Sequence, residues 1–249
     1  MDSGYSAPYH PHCQPLERLP FPHVSERTAA DRREELVALY HEVRACQRCP
    51  LAATRSNTVF GMGNADADLM FVGEAPGAEE DRQGKPFVGR AGKLLDQLLS
   101  EIGMDRKNDA FIANVLKSRP PGNRDPHPDE IDACKPYLMR QIQLIEPRVI
   151  CTLGNFATKL LTGSPVGITR VRGTPQEREV AGVPVLLYPL FHPAAALRTP
   201  AVLEQLRGDF AGIPDLLARP AAAGPEPEPA LAAAAPANPE PSQLDLLAG

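Results

Sequence analysis

Short apolar runs alternate along the chain with segments whose hydrophobic residues recur at helical spacing. The runs have the length of buried strands, and we predict four of them, at 68–73, 110–115, 148–154 and 183–190. The helical spacing predicts helices at 31–43, 91–102, 128–145, 156–161 and 201–217. Alternating strands and helices are typical of a parallel sheet that is covered by helices on both faces.

The two ends of the chain differ in composition from this body. Residues 1–28 are rich in Pro, His and Tyr without sustained periodicity, which predicts an irregular N-terminal arm. Residues 220–249 are dominated by Ala and Pro, a composition that cannot bury a core and predicts a disordered tail. We therefore expect one folded domain over residues 29–219.

The formal net charge of −5 does not exclude a nucleic-acid partner. Much of the acidic excess lies in the tail, so the body is nearly neutral and a local basic patch would suffice. The chain has no apolar run of membrane-spanning length and no signal-peptide pattern. These features predict a cytoplasmic protein with reduced thiols and no membrane association.

Four cysteines have a spacing that indicates a metal centre. Cys46 and Cys49 form a C-x2-C pair, and Cys134 and Cys151 follow much later in the chain. Thiolates bind soft metals, and an iron–sulfur cluster takes four of them, whereas a compact zinc ribbon would bring its second pair closer to the first. A zinc site is the smaller alternative. Cys13 stands apart, and we expect it to be a free thiol.

Three polar residues follow three of the predicted strands. Glu74, Asn114 and His192 each lie at a carboxyl end, where ligands bind in open parallel sheets. Each residue alone has a structural alternative. Glu74 could be an acid at a helix N-terminus, Asn114 could cap a loop, and His192 could be a buried histidine with its hydrogen bonds satisfied. Together they predict a ligand crevice. Phe87, in a segment with several glycines, offers either a flat stacking surface or a core side chain.

At this point three motifs carry a resemblance. The segments GEAPGAEEDRQGKPFVGRAG (73–92), NVLKSRPPGNRDP (114–126) and HPAAALR (192–198), together with the four cysteines, resemble the family 4 uracil-DNA glycosylases over about residues 31–217. The resemblance implies an α/β fold, a three-layer α/β/α sandwich around a four-stranded parallel sheet. It also implies one 4Fe-4S cluster, with Cys46, Cys49, Cys134 and Cys151 as its ligands.

The resemblance also implies roles for residues of the crevice. Glu74 would position or activate the attacking water, and His192 would stabilise negative charge on uracil O2. Phe87 would stack on the flipped base, and Asn114 would read its amide edge. The other implied pocket residues are Gly73, Ala75, Glu80, which would screen the C5 side of the base, and Asn123. Ala194, Ala195 and Arg198 would belong to the loop pressed into the DNA duplex.

Several positions depart from related patterns. Ala75 stands where another glycosylase family has a catalytic aspartate, and Ser118 stands where some relatives have cysteine; by the spacing above, Ser118 is not expected to be a ligand. Residues 167–173 lack the histidine-bearing insertion of relatives that trap uracil-DNA covalently, so we expect turnover. Arg170 and Arg172 in this segment either touch phosphate or form a solvated basic turn.

The tail ends with a second motif. Residues Gln243 to Leu247 (QLDLL) resemble the short segment by which bacterial proteins bind the replication sliding clamp, and a disordered tether would present it well. The alternative is a chance Leu-rich terminus.

These observations predict a monomeric bacterial DNA-repair enzyme. It would hydrolyse the N-glycosidic bond of uracil in DNA, leave an abasic site, and act in the cytoplasm at the nucleoid. One alternative is a covalent or non-hydrolytic uracil-DNA binder. Another, from a different class, is a non-enzymatic iron–sulfur protein that binds DNA or transfers electrons.

Overall fold

The structure is a computed structural model that describes residues 28–219. The arm before residue 28, the tail from residue 220 and the motif Gln243 to Leu247 lie outside the described residues. Within 28–219, no helix is both long and apolar enough to cross a membrane.

The four predicted strands form the parallel centre of one sheet. They are β2 (Leu69–Gly73), β3 (Ala110–Asn114), β4 (Val149–Leu153) and β6 (Val183–Leu190). They pair in the order β3-β2-β4-β6, every pair parallel. All residues of β2, β3 and β4 are buried, as expected for strands covered on both faces.

The sheet has six strands, two more than the prediction. The additional strands β1 (Met62–Gly63) and β5 (Gln176–Val180) pair antiparallel with β3 and β6 at the two edges. Neither has an apolar run, because β1 has only two residues and β5 reads QEREV. Edge strands need bury little, so hydrophobicity alone does not reveal them.

Helices cover both faces and give the predicted three layers. Buried side chains of α1, α4 and α5 form one core with one face of the sheet. Those of α3, α8 and α9 form a second core with the other face. The helices are α1 (Ala29–Ala45), α2 (Ala78–Gln83), α3 (Arg90–Glu101), α4 (Pro128–Ile145), α5 (Asn155–Thr162), α6 (Ile168–Val171), α7 (Pro193–Ala196), α8 (Pro200–Ala211) and α9 (Ile213–Ala218).

The closing helix differs from its prediction, which was one helix over 201–217. It is divided at Gly212, and α9 begins there with Pro214 in its first turn. Proline has no N–H to continue the hydrogen bonds of α8, but it fits the first turn of a new helix.

Candidate active site

The carboxyl ends of β2, β3 and β6 open into one crevice, as the strand-end residues predicted. Glu74, Asn114 and His192 all line a cavity of about 330 Å³. The structure thus brings together the three polar residues that the sequence places far apart. The other lining residues are Ala75, Pro76, Gly77, Glu80, Phe87, Ala91, Pro120, Asn123, Arg124 and Ala194.

Glu74 directly follows β2, and the backbone holds it in place. The carbonyl of Glu74 accepts a hydrogen bond from Leu116 N (3.0 Å), which continues the pairing of β2 with β3 past the end of the strands. Burial raises the pKa of the Glu74 carboxyl, and the negative charge of Asp125 raises it further. Glu74 is therefore a stronger base than a solvated carboxylate, suited to accepting a proton from water.

His192 presents one defined nitrogen to the cavity. Its Nδ1 accepts a hydrogen bond from Ala194 N (3.1 Å), in the first turn of α7. Burial lowers the pKa of His192 to about 4, although the charge of Glu80 opposes this shift. The imidazole is therefore neutral near pH 7, and because Nδ1 is the acceptor, the proton is on Nε2. Nε2–H is a hydrogen-bond donor.

Phe87 adopts a left-handed backbone conformation (φ 50°), which is unusual for an aromatic residue. Its ring stacks on His192, with centroids 5.7 Å apart and planes at 28°. Arg106 holds this turn by donating from Nη2 to the Phe87 carbonyl (2.8 Å). Gly92 is required beneath it, because a Cβ there would overlap the Phe87 backbone. Such a conformation persists only where its surroundings fix it, and here they orient the ring.

Asn114 carries a buried acceptor without a partner. Its Oδ1 makes no hydrogen bond within residues 28–219 and is shielded from solvent. A Cβ at Gly73 would overlap Oδ1 and would lie 2.7 Å from Cζ of Phe87, so glycine is needed there. An unpaired buried polar atom is costly, and at the wall of a cavity it indicates a ligand donor that completes the bond.

Glu80 and Asn123 line the cavity but also serve the local fold. Oε1 of Glu80 accepts from Val88 N and Gly89 N, both at 2.9 Å, and so fixes the segment after Phe87. Oδ1 of Asn123 accepts from Arg119 Nε (2.7 Å). These contacts assign both residues to shaping the pocket.

Of the residues expected to face DNA, Ala194 lines the cavity. Ala194, Ala195 and Arg198 are exposed on and after α7, beside Leu197, a large apolar side chain that is 37% exposed. Arg170 is also exposed. Arg172 instead forms an ion pair with Asp209 (Nη2 to Oδ1 2.6 Å). Its positive charge is therefore balanced within the protein and does not require a phosphate.

The structure does not bring the four predicted cluster ligands together. Cys134 lies in the core between the sheet, α1 and α4, and Cys46 and Cys49 pack against that core. Cys151 lies in the opposite core, with Phe71 and Tyr188 beside it on neighbouring strands. The sheet therefore separates Cys151 from the other three cysteines, and the four-cysteine ligand set stays a prediction.

Comparison with known proteins shows which family has similar sequences. The profile of the uracil DNA glycosylase superfamily matches residues 60–209, more than half of the chain. A type-4 uracil-DNA glycosylase of Saccharolobus solfataricus is 47% identical over 190 residues, which cover 74% of this chain and 88% of that protein. The chain belongs to the type-4 uracil-DNA glycosylase family. The protein of that name from Thermotoga maritima is 49% identical over 168 residues, covering 67% and 85% of the two chains.

In this type-4 family member, sequence reasoning missed three residues that hold the crevice. Arg106 fixes the Phe87 turn, and Arg124 lines the cavity while pairing with the buried Glu130 (Nη2 to Oε1 2.6 Å). Lys117 is fully buried, its Nζ bonded to the Asn114 carbonyl (2.8 Å), and burial lowers its pKa to about 7. Arg124 and Lys117 lie inside the motif 114–126, so they could have been found there; Arg106 lies in no motif.

Proposed function

We propose that this protein hydrolyses the N-glycosidic bond of uracil in DNA and leaves an abasic site, as its family membership implies. The observation that carries the proposal is the unpartnered Oδ1 of Asn114 in the same cavity as the neutral His192 and Glu74. A flat base stacked on Phe87 would meet all three groups. The substrate base must leave the duplex stack to enter.

Asn114 would select uracil by the direction of two hydrogen bonds. Its Oδ1 can accept from uracil N3–H, and its amide N–H can donate to O4. Cytosine presents an acceptor at N3 and a donor at C4. Its acceptor would face Oδ1 and its donor would face the amide N–H, so neither hydrogen bond could form and buried groups would stay unpaired. A site of this kind rejects the wrong base strongly.

His192 and Glu74 would act at the two ends of the breaking bond. The bond between C1′ and N1 breaks, and its electron pair leaves on uracil, whose O2 accepts from His192 Nε2–H. Water adds its hydroxyl to C1′, and the Glu74 carboxylate accepts the proton. A neutral histidine suits this role because it donates a hydrogen bond without needing to be charged.

The pH profile offers a test of Glu74. Because activity requires the carboxylate, kcat/KM should rise with pH through the raised pKa of Glu74. Asp125→Asn removes a negative charge that raises this pKa, so we expect the rise to move to lower pH. The matched control is Asp129→Asn, at an exposed position in the first turn of α4. An unchanged profile for Asp125→Asn would show that another group sets it.

Turnover can be separated from covalent capture. A labelled uracil-containing oligonucleotide, present in excess, is incubated with the protein and then run on a denaturing gel. We expect product to exceed enzyme and no label to remain with the protein. Label that stays attached after denaturation would support the covalent binder instead.

We also propose one 4Fe-4S cluster, which would tie the segment around Cys46 and Cys49 to α4 as a structural clasp. The supporting observation is that Cys46 and Cys49 pack against the core that contains Cys134, whereas Cys151 lies in the core on the other face of the sheet. These cysteines would hold the cluster at the core of α1 and α4, apart from the residues that line the crevice, so no step of the reaction is assigned to it. We expect the protein to act as a monomer in the bacterial cytoplasm, on nucleoid DNA.

For the tail we propose binding to the replication sliding clamp through residues Gln243 to Leu247. The supporting observation is a glutamine followed by leucines at the end of an Ala- and Pro-rich segment. The full chain should be captured by immobilised clamp, and deleting 243–247 should abolish this capture while uracil excision stays at the wild-type rate. Undiminished capture would remove the proposal.

A further inference from the structure

Three cysteines converge beside a buried serine. Sγ of Cys134 accepts a hydrogen bond from the backbone N of Lys117 (3.5 Å), the residue that precedes Ser118. Cys46 and Cys49 pack against the same buried core that contains Cys134. Ser118 itself is only 3% exposed.

One arginine joins Ser118 to the C-x2-C segment. Nη1 of Arg55 donates to Oγ of Ser118 (3.2 Å), and Nη2 of the same guanidinium donates to the carbonyl of Cys46 (2.6 Å). A single guanidinium therefore connects Ser118 to the backbone of Cys46. The residue before Ser118 donates the hydrogen bond to Cys134. Serine has the shape of cysteine, with oxygen in place of sulfur.

A partly buried cation, Arg48, lies within the C-x2-C segment itself. The guanidinium of Arg48 lies 4.0 Å from the centre of the Tyr137 ring, and its Nε and Nη2 are buried with no hydrogen-bond partner among the described residues. A buried cation with unused donors is costly unless a negative group is nearby. Cysteine thiolates and the sulfides of a cluster are such groups, because they accept hydrogen bonds and carry negative charge.

The site suits a cluster better than a single ion. Within residues 28–219, no three His, Cys, Asp or Glu side chains are grouped closely enough to hold one metal ion. In an iron–sulfur cluster the ligands bind different iron atoms, which the sulfides connect, so the thiolates need not meet at one point. Three thiols and one hydroxyl would then supply four ligands, one for each iron of the cluster.

We propose that Cys46, Cys49 and Cys134 bind three irons of the cluster, that the Oγ of Ser118 occupies the fourth corner, and that Cys151 is not a ligand. The inference rests on the 4Fe-4S cluster of the proposed function and deepens it. Oxygen is a harder ligand than thiolate and matches iron–sulfur chemistry less well. The iron at the Ser118 corner is consequently the one held least tightly.

The test compares variants of the full chain, purified without oxygen. Cys151→Ala should keep the wild-type content of iron and acid-labile sulfide and the same visible absorption. Ser118→Cys should slow the loss of iron to a chelator by about tenfold or more, the scale of change seen when a metal's surroundings are altered. Cys134→Ala, which removes a thiolate, should lower the iron content and serves as the positive control.

Two results would overturn the inference. One is loss of iron in a Cys151→Ala protein whose thermal melting shows that it is folded. The other is iron loss from Ser118→Cys at the wild-type rate. Uracil release, measured on the same preparations, reports separately on the proposed function. A Cys151→Ala protein that has lost its iron but still releases uracil would refute the ligand assignment and leave uracil excision as the function.

Discussion

Replacing His192 with alanine is expected to lower kcat for uracil excision by about 10²–10³-fold, the loss typical when one donor to a developing oxyanion is removed. The imidazole is neutral, and its Nδ1 is occupied by Ala194 N, which leaves Nε2–H for uracil O2. The loss should appear mainly in kcat, because the negative charge on O2 develops as the bond breaks. Single-turnover kinetics on a uracil-containing oligonucleotide measure it.

His41 provides the matched control for this substitution. It lies exposed on α1, on the side of the sheet that carries Cys134, and lines no part of the crevice. His41→Ala should excise uracil at the wild-type rate. Should His192→Ala also retain that rate while remaining folded, the assignment of the oxyanion donor would be wrong.

Asn114→Ala is expected to lower kcat/KM for uracil by about 10²-fold or more and to remove most of the preference for uracil over cytosine. The variant loses both directional hydrogen bonds to the base edge, and bonds of this kind determine discrimination more than shape does. Because cytosine gains nothing from the wild-type amide, its already low rate should change little. The measured quantity is the ratio of the two kcat/KM values.

Asn108 offers the control for the amide. It lies exposed between α3 and β3, where its Nδ2 donates to Asp105 (2.8 Å). Asn108→Ala should leave the uracil-to-cytosine ratio unchanged. A wild-type ratio in Asn114→Ala would show that another group reads the base.

Much of the crevice could be predicted from the sequence because a simple rule of topology applies. Apolar runs mark buried parallel strands, and their carboxyl ends must lie at one edge, so Glu74, Asn114 and His192 had to approach one another. The rule does not predict which other residues hold the crevice in shape. Arg106 reaches the Phe87 turn through its own loop, and no local pattern indicates that contact.

The cysteines show what sequence spacing leaves undetermined. Adjacent residues of a strand face opposite sides of the sheet, so Ile150 lies in the core with Cys134 while Cys151 lies in the other core. Spacing along the chain cannot decide between these faces. Spacing also led us to exclude Ser118, which in the fold is joined through Arg55 to the carbonyl of Cys46 and follows Lys117, whose N–H bonds Cys134.

The central claim is tested most directly by releasing the base. The purified full chain is incubated with an oligonucleotide that contains one uracil, free uracil is quantified by chromatography, and the DNA is treated with alkali to cut at abasic sites. We predict one free uracil for each strand cut, with the cut at the uracil position and none in a thymine-containing control. Absence of both free uracil and alkali-sensitive sites would contradict the account.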